Sequence, residues 1–391
     1  MQQPDWNPRD VTVLRDQRAA YDAMRANCPV AYSEFLGWSL FRHEDIAEVL
    51  AHPEIYRSGS PHRAIPNGMD PPDHTRYRSA LVPFFDTDQM SAFEPRCRAI
   101  AAQLAELAVG LDKMEFVREF AEPYALGAQC AFLGWPEVIW VHLQGWTHGN
   151  QEAALSRDRA ASKALAEELE RYVEAAVRAR RLSRTPSNDL TARLMATEVD
   201  GQPLSDSDLA SILRNWIAGH GTVAAGLGIL IFHLVTDQQL QQRLRNDPAS
   251  IAAAVDEILR VDDPLVANRR TTSEDVEIGG RQIPEGSKVT LMWMAANRDE
   301  QAFPDAERIH LDRDQRGNFV FGSGIHDCIG APLARLELRV ALEELLARTS
   351  VIKGVAGDSA QRGVYPGNGF SRLSVRLRPR PQEPATGPMP D

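Results

Sequence analysis

Apolar residues recur at three- and four-residue spacing along most of this chain, and the spacing shortens to two only in short stretches near its beginning and end. The helical period is clear in VLRDQRAAYDAMRANC, residues 13–28, and again in HEDIAEVLAH, residues 43–52. Between them VAYSEFLGWSLFRH alternates as a β-hairpin does. From Tyr56 to Pro72 the chain is thick with Ser, Gly and Pro and reads as a loop covering a surface or a site. From His74 to about Thr236 nearly everything is helical in pattern, including the Ala/Glu/Arg-rich segment from Ala160 to Leu182. Alternation returns in DVEIGGRQIPEGSKVTLMW, around Gly and Pro-Glu-Gly turns, and near the end in SRLSVRL. The expected fold class is mainly α with small β-sheets.

Composition narrows this without changing it. The chain has 391 residues, 43% hydrophobic and 25% charged, enough apolar material for one large core. No linker interrupts it, so residues 1–377 are expected to form a single domain, with a Pro-rich tail from Arg378 to Asp391 expected to be disordered. A net charge of −11 argues against a nucleic-acid partner. Cys28, Cys97, Cys130 and Cys328 are widely separated and fit neither a disulfide framework nor structural zinc; a reducing cytoplasm fits. The N-terminus has no basic start followed by an apolar run, so no signal peptide or membrane anchor is expected. Asn215 to Thr236 lacks Asp, Glu, Lys and Arg and is long enough to span a bilayer, but its glycines and histidines favour a central buried helix, and no membrane partner is expected.

The candidate chemistry is concentrated in Phe321-Gly-Ser-Gly-Ile-His-Asp-Cys-Ile-Gly330, followed at once by the helical APLARLELRVALEELLAR. A loop thus delivers Cys328 to a helix N-terminus, where first-turn amides lack acceptors and the dipole favours a thiolate. Pro332 suits the first turn. Gly322 and Gly324 let the backbone pass close to a flat object and Phe321 offers an aromatic wall, as the proximal face of a haem requires. An isolated Cys at such a junction is usually only a buried residue. The joint pattern FGxGxHxCxG is far too specific to arise by chance.

On these residues the chain resembles the cytochrome P450 family, in its soluble bacterial type, from about Trp6 to Leu377. The resemblance implies the cytochrome P450 fold, haem b as cofactor and Cys328 as the iron's axial thiolate ligand. Glu257-Ile-Leu-Arg260 is similar to the family's ExxR pair, with Arg298 expected as a third member of that ion network. His74 and Arg78, with Arg270 and His326, resemble the partners of the two haem propionates, and Phe321, Gly322 and Gly330 complete the expected haem-binding set.

On the long helix the family pattern Ala-Gly-x-(Asp/Glu)-Thr reads Ala218-Gly219-His220-Gly221-Thr222. The hydroxyl of Thr222 is kept, Gly221 stands at the acid position, and His220 is the adjacent titratable group for proton delivery. A side chain two positions before Thr222 points to another helix face, so a water chain or a substrate hydroxyl is the alternative relay. Ala218, Leu265, Val266, Ala267 and Phe370 are expected to line the substrate pocket.

The resemblance further implies a monooxygenase that uses O2 with two electrons from separate proteins, a ferredoxin and a ferredoxin reductase, to oxidise a small or medium apolar or aromatic organic molecule. Arg335 and Arg339 are candidate docking contacts. The same fold could instead run oxidative coupling, desaturation or peroxide-driven oxidation in natural-product biosynthesis, which the absent acid also fits. A haem sensor without substrate is the remaining class, and an apolar pocket argues against it.

Overall fold

In a computed structural model the described residues are 3–59, 64–156, 158–183, 188–363, 365 and 367–381. Their centre is a helix of 31 residues, Asp206–Thr236, about 46 Å long at the usual rise. A reciprocal capping box starts it: Ser205 accepts from the Asp208 amide, and the Asp208 carboxylate accepts from the Ser205 amide. Helices Glu122–Leu133, Arg159–Leu182, Ile251–Val261 and Ala331–Arg348 pack around it. By length and composition this central helix could cross a membrane, yet 61% of its apolar window is buried inside the fold. Its apolar character is met by those neighbours.

Among the described residues the strands form five sheets. Their largest sheet runs in the order Val30–Ser33, Gly37–Leu40, Lys288–Leu291, Asn268–Thr272, Tyr56–Arg57, antiparallel except for the parallel contact of Gly37–Leu40 with Lys288–Leu291. Gly37 permits that contact: its φ is +72°, and a Cβ there would lie 2.5 Å from the Lys288 carbonyl oxygen. The expected hairpin at 275–293 divides. Val276–Ile278 pairs with Arg281–Ile283 across Gly279-Gly280, and Lys288–Leu291 leaves for the large sheet.

The structure corrects three boundaries. Tyr56–Arg57 is a strand against Thr271–Thr272 and not loop, while residues 60–63 of the expected loop lie outside the described residues. The helical region is broken by the strand Met114–Glu115 and by a two-strand ladder, Glu198–Val199 with Gln202–Pro203. The last strand, Ser374–Pro379, runs past the expected domain end, with Arg378 opposite Val351; positions 382–391 of the expected tail lie outside the described residues.

Candidate active site

The cysteine loop is held by its own backbone and by the ion network behind it. Cys328 N–H donates to the Phe321 carbonyl at 2.7 Å and Gly322 N–H to that of Phe319 at 2.8 Å. Phe319 N–H in turn donates to Asn297 Oδ1 at 2.7 Å. Gly324 has φ +73°, and a Cβ there would meet the Leu50 carbonyl oxygen at 2.8 Å, so the loop can press on the helix His43–Ala51 only with glycine. Gly330 then caps helix Ala331–Arg348, with Pro332 in its first turn.

Cys328 opens onto a cavity of about 490 Å³ that runs between this loop and the central helix. Burial raises its thiol pKa, while the Gly330 amide and the charge of Arg78 favour the thiolate. Burial pushes Cys97 and Cys130 up to about 12, and both are enclosed in the core. Among the four cysteines, Cys328 alone meets the cavity. Phe321 lines it beside the sulfur, and the Arg335 guanidinium lies 4.4 Å over the outer face of that ring while pairing with Asp256 at 2.8 Å.

Four expected basic groups converge on one edge. Arg270 and His326 line the cavity; His74 packs its ring against His326, centroids 4.3 Å apart, and Arg78 donates to the carbonyl and carboxylate of Asp327. Ser58 Oγ lies 2.9 Å from His326 Nε2. Burial, with Arg270, His74 and Arg78 adding to it, drives His326 down to about 3, and burial followed by Arg78 lowers His74. His74 is buried with no hydrogen-bond partner on either ring nitrogen. Burial lowers the Arg270 pKa, and its guanidinium has only the Arg269 carbonyl, at 2.8 Å. Arg78 has Asp327, but Arg270 and the ring nitrogens of His74 are half-buried or buried donors without an ion-pair partner among the described residues, which is what carboxylates would satisfy. These residues therefore fit a haem: Cys328 would supply the thiolate that holds its iron, and Arg270, His326, His74 and Arg78 would hold its propionates.

On the opposite face Thr222 and Gly219 open into the cavity from the central helix. Gly221 does not line it, and a Cβ there would meet nothing within 4 Å. His220 is turned away: it is buried, with Nδ1 on the Ile217 carbonyl and Nε2 at 2.8 Å from Thr147 Oγ1. Two residues before Thr222 is about 200° around the helix, so His220 ties the central helix to helix Val138–Ser156 and does not reach the oxygen face. Burial lowers its pKa, which keeps it neutral.

The expected lining is also corrected. Of the five residues only Leu265 lines the cavity. Val266, next in the chain, points the other way into a core of Tyr21, Leu36 and Phe41, and Ala267 packs on the same cluster. Phe370 stacks on Phe232 at 4.6 Å, under the Arg362 guanidinium. Ala218 is one position, about 100°, off the stripe of Asn215, Gly219 and Thr222. In the ion network, Arg260 donates to both oxygens of Glu257 at 2.9 Å, but Arg298 pairs with Asp22 and Glu307 instead. The third member is Arg313, Nε to Glu257 Oε1 at 2.9 Å. Burial works against the Glu257 charge, and Arg260, the His310 amide, Gln315 and Arg313 together hold its pKa below the ordinary value.

Sequence reasoning missed Asn67, Asn215, Asn268 and Glu337, all of which line the cavity. Spacing could have found two of them: Asn215 is seven residues before Thr222 on the same helix face, and Asn268 is two before Arg270 on the same strand face.

A family model described as Cytochrome P450 matches residues 146–356. The chain is 32% identical to the cyclomarin C epoxidase of Salinispora arenicola, covering 84% of this chain and 88% of that protein. It is also 32% identical to a vitamin D(3) 25-hydroxylase of Pseudonocardia autotrophica, covering 94% and 96%. The solved structure of a mutant of P450 EryK in complex with erythromycin B superposes with a TM-score of 0.86 at 28% identity, covering 95% of this chain and 98% of that one.

Proposed function

Because the chain belongs to the cytochrome P450 family, we propose that it is a haem-thiolate monooxygenase in which Cys328 binds the iron and Thr222 guards the oxygen face. The observation that carries this is the position of Cys328: the one cysteine open to the cavity, at a helix N-terminus, across from Thr222 and beside a rim that holds Arg270, His326 and the unpartnered ring of His74. Haem bound there supplies reductive activation of dioxygen. The chain supplies the rest. Gly330 N–H and Arg78 favour the ligand's charge, and Arg270, His326 and His74 offer donors at the propionate rim.

Proton delivery differs from the family pattern. Among the described residues the carboxylates lining the cavity are Asp327 and Glu337, both on the cysteine side, and none stands on the central helix. Thr222 Oγ1 is therefore the polar group placed to hold a water or donate a hydrogen bond at the reacting face, with protons arriving by water or from the substrate. Family members take electrons from redox partners; here we propose a ferredoxin and its reductase, docking on the side of helix Ala331–Arg348. Arg335, paired with Asp256, is 48% exposed there, whereas Arg339 is held by both Glu94 and Glu343 and is 27% exposed. Arg335 is the stronger contact for an acidic partner.

The absence, among the described residues, of an acid on the cavity-lining face of the central helix also favours a second reading, oxidation driven by hydrogen peroxide. The test is reconstituted turnover with product, peroxide and NAD(P)H each counted. Thr222→Ala should keep the carbonyl spectrum while diverting reducing equivalents to peroxide, and Gly221→Glu, for which there is room, should raise product per NAD(P)H if protons enter by water. Unchanged coupling in Thr222→Ala contradicts the role given to the hydroxyl. Turnover with peroxide alone, at or above the reductase-driven rate, supports the second reading.

A further inference from the structure

Resting on the monooxygenase reading, we propose that the substrate carries a neutral group able both to donate and to accept hydrogen bonds, an amide or a hydroxyl, held by asparagines in the cavity lining, of which Asn215 stands about 10 Å along the central helix from Thr222. Asn215, Asn67 and Asn268 come from a helix, a loop and a strand, and all three line the cavity.

Asn215 precedes Thr222 by seven residues, two turns up the same helix face and therefore about 10 Å from it. Its Nδ2 donates to the Ile65 carbonyl at 2.9 Å. That carbonyl can only accept, which fixes the amide's orientation and leaves Asn215 Oδ1 as an acceptor with no partner among the described residues. The Ile65 amide donates to Ser211 Oγ at 2.9 Å, and the Ile65 side chain is wholly buried. Both backbone groups of Ile65 are thus tied to the central helix. The turn that follows, closed by Met69 N–H on the Pro66 carbonyl at 3.0 Å, presents Asn67 from a pinned loop.

Asn268 comes from the sheet. Two residues on, Arg270 turns toward His326 inside the cavity, and strand alternation places Asn268 on that same face. Neither Asn67 nor Asn268 has a side-chain partner among the described residues. The same lining includes Gly219, Val223, Pro264 and Leu265. The cavity therefore joins an apolar wall to carboxamides with unmet donors and acceptors. Such groups match a neutral polar function; they do not compensate a full charge. Of the two arginines in the same lining, Arg269 is engaged by the Tyr365 hydroxyl at 3.1 Å and Arg270 turns to His326 at the propionate rim.

The test uses the haem-loaded protein and four probes of one length: decane, decan-1-ol, decanamide and decanoate. Affinities are measured by calorimetry, which needs no turnover, for the parent, Asn268→Leu and Asn67→Leu; these side chains bond to nothing else, so the variants should fold. The carbonyl spectrum of the same samples tests the family reading separately. Each variant should weaken decanamide about threefold to tenfold, decan-1-ol by a similar factor, and leave decane unchanged or tighter. Two results overturn the proposal: decanamide affinity that the variants do not weaken, including no binding to the parent at all, or a loss that falls on decanoate in preference to the neutral probes.

Discussion

Replacing Arg260 by leucine removes the centre of the most deeply buried charge network in the described fold. Arg260 and Glu257 are both fully buried. The guanidinium bonds both Glu257 oxygens and the carbonyls of Asn297, Ala306 and Arg308, at 2.6, 2.9 and 3.1 Å in that order. Breaking a buried pair from one side costs about 3–5 kcal/mol, and each orphaned buried carbonyl about 1–3 kcal/mol. Arg313 remains on Glu257 and softens the first of these, so a loss of roughly 4–8 kcal/mol is expected. A typical folded domain has only about 5–15 kcal/mol to lose. The damage should also reach the site, because Arg260 holds the Asn297 carbonyl while Asn297 Oδ1 accepts from Phe319, which leads into the cysteine loop. Urea unfolding followed by circular dichroism, with haem content measured in parallel, reads both effects. Arg260→Lys keeps the charge without the planar fork and should fall between parent and Arg260→Leu. A transition for Arg260→Leu within about 1 kcal/mol of the parent, at full haem content, would refute this account of the network.

Arg270→Ala should speed haem transfer to an acceptor apoprotein severalfold, because among the described residues the Arg270 guanidinium makes no ion pair and bonds the Arg269 carbonyl; an unchanged rate removes it from the propionate set. Glu337 is buried with Oε1 unpartnered, and burial raises its pKa well above the ordinary 4.5. A raised carboxyl favours the fold below its unfolded pKa and loses that advantage as pH rises toward the folded one. Glu337→Gln should therefore gain stability relative to the parent by up to about 1.4 kcal/mol per pH unit above about pH 5. Melting curves of the two that stay parallel from pH 5 to 8 contradict a neutral Glu337.

The elements read from spacing reappear where period and punctuation agree. The helix from Ala331 follows its Gly-Ala-Pro start, and the central helix extends nine residues before the uncharged stretch because Ser205 and Asp208 cap it there. The cysteine loop was readable because its residue types are fixed by backbone constraints such as the one on Gly324 at Leu50. Contacts between distant segments were not readable. Nothing local distinguishes Arg313 from Arg298 as the partner of Glu257; the choice depends on how the chain after Pro304 folds back. Val266 and Leu265 are equally apolar neighbours, and the direction of the turn set by Asp263, whose carboxylate accepts the Leu265 amide at 2.9 Å, decides which one meets the cavity.

The central claim is tested most directly by the absorption spectrum of the reduced, carbon monoxide-bound protein. With Cys328 as thiolate ligand, the parent should show a band far to the red of a histidine-ligated haem, and Cys328→Ser should lose it. Cys97 and Cys130 cannot substitute, since both are enclosed in the core. A histidine-like carbonyl spectrum in the parent, or an unchanged red-shifted band in Cys328→Ser, would contradict the assignment.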